Sequence, residues 1–292
     1  STVTNIASES SYSELAKVSG TSKDLPEGGT LKKSGVSWVK FRLANDAGTA
    51  SFVHWQTSGT WESGTTFNSK GMEQVSGWDV WRSTFYTNPF IHGNYYKYYC
   101  KSRDAAYQSD GEPSGSGTEE SAFPEIRLKY DNKYPTSNIT KPTFDEAPGG
   151  GAGRINALAT ISGTVSDYDE GNTKIGAVKL FIKDITADKM WDGAKWLATP
   201  ASEADWPALT TVFTAYSGGN GSSGTWTYNY DANKTTSTND NKYKIMVNAE
   251  DAADPANKQA TAGNYETKLS SRTYTWDVVK PVTELDNPTA NY

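Results

Sequence analysis

The chain has 292 residues, 35% of them apolar and 12% aromatic, with a formal net charge of −6 and a single cysteine. That length suits two domains of ordinary size; the acidity argues against nucleic acid as a partner, and the lone Cys100 excludes an intramolecular disulfide. No stretch approaches the ~18 consecutive apolar residues of a membrane helix, so no membrane insertion is expected of this segment, and any leader or anchor is expected outside it.

Taken in chain order, the sequence elements come twice, with a period of about 146 residues. Val18-Ser19-Gly20-Thr21 is followed by Val39-Lys40-Phe41-Arg42-Leu43, a Trp pair (Trp55, Trp61), a block opened by Trp78, then Tyr96-Lys97-Tyr98-Tyr99-Cys100, and Tyr130-Asp131 ahead of Pro135. The second half answers with Ile161-Ser162-Gly163-Thr164, Val178-Lys179-Leu180-Phe181-Ile182, the pair Trp191 and Trp196, a block opened by Trp226, Tyr243-Lys244-Ile245-Met246-Val247, and Trp276-Asp277 ahead of Pro281. Within these blocks apolar and polar residues alternate, the pattern of half-buried strands. Val39, Phe41 and Leu43 are expected to face inward against Lys40 and Arg42, and Val178, Leu180 and Ile182 against Lys179 and Lys183. Asp192-Gly193 supplies a tight hairpin between Trp191 and Trp196. About seven short strands per half, without an amphipathic helix, predict an all-β chain of two sandwiches.

The succession ISGTVSD, IGAVKLFIKD, KMWDGAKW, GTWTYNY, YKIMVNAEDAA and YTWDVVKP resembles the immunoglobulin-like repeats of large secreted and surface proteins of bacteria. The likeness runs along nearly the whole chain, twice over. It implies two tandem immunoglobulin-like β-sandwich domains, residues 1–134 and 135–281. Residues 282–292 then form a linker or the first strand of a following module, because Val282-Thr283-Glu284-Leu285 repeats the openings Val3-Thr4-Asn5-Ile6 and Thr136-Ser137-Asn138-Ile139. For function it implies a non-enzymatic structural or adhesive element outside the cell or at its surface, in a stalk, adhesin or filament. Its partners would be neighbouring modules or further copies of itself. A carbohydrate-binding module, or an accessory region of a secreted enzyme, is the alternative.

In that topology the loops after the second and sixth strands share a pole with the start of the first. Asp167, Asp169 and Glu170 fall in one such loop, Asp251 and Asp254 in the other, and Asp131 just before the linker. Asp131, Asp167, Asp169, Asp251 and Asp254 are therefore the candidate ligands of a calcium ion at the junction, calcium being a hard cation that takes six to eight oxygens. The plainer use of such residues, Asp24, Asp104, Asp167 and Asp251 among them, is to cap turns by accepting backbone N–H groups. The glycan alternative rests on exposed aromatics, and Trp38, Trp55, Trp61, Trp81 and Trp206 are its candidates for stacking on sugars. Cys100 is expected on an inward face as a small hydrophobe, and neither His54 nor His92 lies in a recognisable partner motif.

Overall fold

A computed structural model of the chain describes residues 2–4, 10–15, 17–23, 35–46, 53–55, 61–63, 72–76, 80–84, 90–104, 125–143, 153–167, 173–217, 221–231, 237–253, 255–256, 258–259 and 268–282. Two compact units result: Ser1–Tyr134 with Asp167–Gly176 and Asp251–Asn257, and Pro135–Ser166 with Ala177–Glu250 and Lys258–Tyr292. The candidates Asp24, Trp78, Asp169, Glu170 and Asp254 lie outside the described residues, as does the stretch from Thr283 onward.

The first half contributes β1 (Thr2–Val3), β2 (Ser10–Tyr12), β3 (Lys17–Thr21), β4 (Val36–Asn45), β5 (Val53–Trp55), β6 (Trp61–Ser63), β7 (Met72–Ser76), β8 (Val80–Thr84), β9 (Tyr95–Asp104) and β10 (Glu125–Tyr130). They form two sheets, ordered β1-β3-β8-β7 and β2-β10-β9-β4-β5-β6. The second half contributes β11 (Thr136–Lys141), β12 (Arg154–Ile155), β13 (Thr160–Ser166), β14 (Ile175–Asp184), β15 (Lys189–Trp191), β16 (Trp196–Ala198), β17 (Leu209–Thr210), β18 (Val212–Ala215), β19 (Ser223–Asn229), β20 (Lys242–Asp251) and β21 (Ser270–Trp276). Its sheets run β11-β13-β19-β18 and β12-β21-β20-β14-β15-β16, with β17 added against β14. The order of strands is the same in both halves, two sheets in a sandwich-like arrangement with the second sheet extended by a hairpin. The first strand anticipated from sequence is broken in two: β1 and β11 join one sheet, while β2 and β12 run parallel to β10 and β21 in the other.

Alternation builds each core. Val39, Phe41 and Leu43 of β4 pack with Tyr96, Tyr98 and Cys100 of β9, Val18 of β3 and Leu128 of β10. In the second half Val178, Leu180, Ile182, Tyr243, Ile245 and Val247 are all buried. The Trp191–Trp196 hairpin closes as anticipated: Gly193 takes φ 99°, and the Asp192 carboxylate accepts the N–H groups of Ala194 and Lys195, each at 2.8 Å. Those two donors hold Asp192 below the ordinary carboxylate value.

Two further devices recur at equivalent places. The glycine of each Ser-Gly-Thr motif stands opposite a fully buried tryptophan, Gly20 across from Trp81 and Gly163 across from Trp226. A Cβ on Gly163 would lie 1.9 Å from the Asn138 carbonyl oxygen and 2.5 Å from the Trp226 ring, so a side chain there is incompatible with the indole. This pairing corrects the sequence register, since Trp81 rather than Trp78 is the counterpart of Trp226. Each sixth-strand tyrosine also ties down its own approach. The Ile91 N–H donates to the Tyr96 hydroxyl at 2.6 Å and the Thr238 N–H to the Tyr243 hydroxyl at 2.9 Å, a tyrosine corner in each half.

Gly163→Ala is expected to destabilise the fold by about 3 kcal/mol or more, because neither a backbone carbonyl nor a packed indole can retreat; urea unfolding measures it. Burial raises the Tyr96, Tyr243 and Tyr274 hydroxyls above the usual 10.0, Tyr274 furthest. The native chain therefore keeps protons that the unfolded chain releases. Stability contributed by these groups is complete below about pH 10 and falls above it, so the urea midpoint is expected to be lower at pH 11 than at pH 9.

Candidate metal centre

Three of the five anticipated metal ligands come together. Asp131 follows the last residue of β10, Asp167 follows the last of β13, and Asp251 ends β20. Their candidate ligand oxygens all lie within 4.8 Å of one another, and their exposures are 0%, 1% and 2%. All three belong to the first compact unit, although Asp131 comes from the first half of the sequence and the other two from the second.

Local hydrogen bonds aim the carboxylates. The Lys133 N–H donates to Asp131 Oδ1 at 3.1 Å, the Thr173 N–H to Asp167 Oδ2 at 2.6 Å and the Ala253 N–H to Asp251 Oδ1 at 3.0 Å. The turn-capping role is thus real for Asp167 and Asp251, and it is compatible with clustering because each cap engages one side of a two-oxygen group. Thr173 also bridges two members, since its hydroxyl donates to Asp131 Oδ2. The segments are stitched by Ala252 N–H to Lys174 O at 2.8 Å and Asp131 N–H to Tyr12 O at 2.8 Å. Gly176 allows the close approach: a Cβ there would meet the Asp251 carbonyl oxygen at 2.3 Å. His92 Nδ1 sits 3.2 Å from Asp131 Oδ1.

Three carboxylates this close and this deeply buried repel one another, and the repulsion is relieved either by protons or by a shared cation. The donor set is entirely hard oxygen, with no thiolate, which matches calcium or magnesium rather than a soft metal. Each carboxylate can offer one or two oxygens, and the larger, geometrically tolerant calcium ion fits a set drawn from three separate strand ends better than magnesium does. Thr173 and His92 were not found by sequence reasoning. Thr173 carries no signal of its own in the loop after β13, and His92 meets Asp131 only through the fold.

The tryptophans do not form a common site among the described side chains. Trp81 is 0% exposed in the first core. Trp206 is 7% exposed and packs with Phe181, Met190, Met246 and Leu269, its indole N–H donating to the Pro200 carbonyl at 3.3 Å. Neither ring is open to a sugar, which corrects the expectation for both. The reason for Trp206 is that Phe181 and Met246 make the outer side of their sheet apolar, and the excursion between β16 and β17 folds over to cover it. Trp55 and Trp61 are register partners across β5 and β6, with side chains outside the described set. Trp38, on β4, is partly exposed.

Neither the family models nor the curated proteins with which the chain was compared match it. From the cluster itself, calcium in excess of its dissociation constant is expected to raise the melting temperature, about 2.7 kcal/mol of added stability at a hundredfold excess. Asp167→Asn is expected to abolish that rise while leaving the protein in EDTA as stable as the parent or more so, since it removes one of three repelling charges. Calorimetric scans of both proteins with calcium and with EDTA read the two effects; equal melting in both buffers for the parent would contradict the site.

Proposed function

We propose that the chain is a run of immunoglobulin-like modules from an extracellular or cell-surface protein of bacterial type, working as a stalk, adhesin or filament rather than as an enzyme. The observation that carries this reading is the repetition of architecture. Strand order, glycine–tryptophan pair and tyrosine corner occur twice along one chain, which is how spacer proteins are built: independent sandwiches added in series.

The carboxylate cluster supports the same reading. Calcium modules outside the cell work at dissociation constants of roughly 10⁻⁴–10⁻³ M, and a cation drawing on Asp131, Asp167 and Asp251 would tie the loops after β13 and β20 to the end of β10. The alternative of a carbohydrate-binding module loses two of its five aromatic candidates, Trp81 and Trp206, to burial.

Electron microscopy of the native material tests the proposal. Regular extended assemblies repeating every one or two modules, softened by a calcium chelator, are the expected result. Dispersed, unassociated molecules indifferent to the chelator would count against it.

A further inference from the structure

The sheet β11-β13-β19-β18 ends on a strand without the usual protection. A terminal strand offers one row of backbone N–H and C=O groups to any strand that can reach it, and proteins commonly blunt such rows with charge, proline or shortness. The other terminal strands follow that rule. β6, β7, β11 and β12 carry Glu62, Glu73, Lys141 and Arg154, while β1, β2 and β16 have three residues or fewer. β18, Val212-Phe213-Thr214-Ala215, has neither charge nor proline. From Trp206 to Tyr230 no residue is charged, although 21% of the chain is.

The ladder sets which groups are open. The Tyr216 N–H donates to the Ser223 carbonyl at 3.1 Å, and the pairs Ala215–Gly224, Thr214–Thr225, Phe213–Trp226 and Val212–Thr227 continue from it without a bulge. Alternate residues of an antiparallel strand turn their backbone groups to opposite sides. Val212, Thr214 and Tyr216 therefore bond β19, and Phe213 and Ala215 turn theirs outward, where no strand of the described residues meets them. Side chains alternate across the faces of the sheet in the same rhythm. Phe213 shares a face with its buried partner Trp226, and Val212, Thr214 and Tyr216 lie on the solvent face, Val212 67% and Tyr216 46% exposed.

We propose that β18 pairs with β18 of a second copy of this chain, antiparallel about a two-fold axis at Thr214, so that two four-stranded sheets join into one of eight. The strand is complementary to itself. With Thr214 opposite its own copy, Phe213 exchanges backbone hydrogen bonds with Ala215 of the second copy, and Val212 stands across from Tyr216 of the second copy. Threonine opposite threonine and a β-branched residue opposite an aromatic are favourable cross-strand pairs, and the non-hydrogen-bonded sites they occupy bring side chains closest. Both exposed apolar residues of the edge are thereby covered.

Charge points to the same partner. A chain of net charge −6 repels its own copies, and the stretch from Trp206 to Tyr230 is where that repulsion is locally absent. The counterpart edge of the first half, β7, would carry Glu73 into such a contact. A two-fold pairing also closes on itself, because it uses up the open row of both copies. For its role the contact rests on the array reading, as the surface where neighbouring stalks meet side by side; its geometry comes from the strand alone and involves no metal.

Sedimentation of the full chain, in calcium and in EDTA alike, reads the association, and a dimer in reversible equilibrium with monomer is expected. Thr214→Lys and Thr214→Glu, at a position exposed in the monomer, should each associate at least tenfold more weakly, since like charges then face each other across the axis. An equimolar mixture of the two should recover the dimer. On oxidation Thr214→Cys should cross-link to itself at least tenfold faster than Val212→Cys does, because position 214 meets its own copy, whereas Val212→Cys should cross-link with Tyr216→Cys. The native Cys100 is buried and takes no part. A parent still monomeric at about 1 mM, undiminished association of Thr214→Lys, or cross-linking without preference for position 214 would overturn the proposal. Fibres in the native material beside a monomeric chain would remove this edge contact and leave the array reading standing.

Discussion

The pairing of two ten-residue strands at the centre of the larger sheet, β4 with β9 and β14 with β20, is the constraint from which the rest follows. Because successive side chains of a strand point to opposite sides, each such pair has one face committed to the core and one free to vary. The committed faces of the two halves are buried and apolar at equivalent positions, Val39 with Val178, Phe41 with Leu180, Leu43 with Ile182 and Tyr96 with Tyr243. The free faces differ: in one, Lys40, Arg42 and Arg127 lie over aromatic rings, and in the other Phe181 and Met246 pack against Trp206. What the two halves share is therefore what folding demands.

Much of this was legible in the residues. The inward positions of β4, β14 and β20 follow from period-two alternation, and the Asp192-Gly193 turn from its chemistry, because both are local signals. Register between distant blocks is not local. The sequence places Trp78 with Trp226, whereas the ladder opposes Gly20 to Trp81, a shift of three residues that turns an expected surface tryptophan into a core one. Trp206 escaped because its partners Phe181, Met190, Met246 and Leu269 are scattered along the sequence and meet only through the fold.

The carboxylate trio was legible as a set of acidic strand ends, and its closeness follows from the fold. Asp131, Asp167 and Asp251 each stand at the end of a strand, β10, β13 and β20, and their ligand oxygens lie within 4.8 Å of one another. Backbone N–H donors and Thr173 orient the oxygens, and Gly176 permits the approach. Burial makes the arrangement expensive when left as three bare negative charges and favourable around a hard divalent ion. The same fold thus converts a turn-capping residue type, common in any β protein, into a concentrated negative site.

A crystal structure of the chain grown in calcium chloride addresses that claim most directly. The account predicts a single strong peak bounded by Asp131, Asp167 and Asp251 with oxygen distances of about 2.3–2.6 Å. Carboxylates at the same positions held only by protons, Thr173 and water, at saturating calcium, would contradict it.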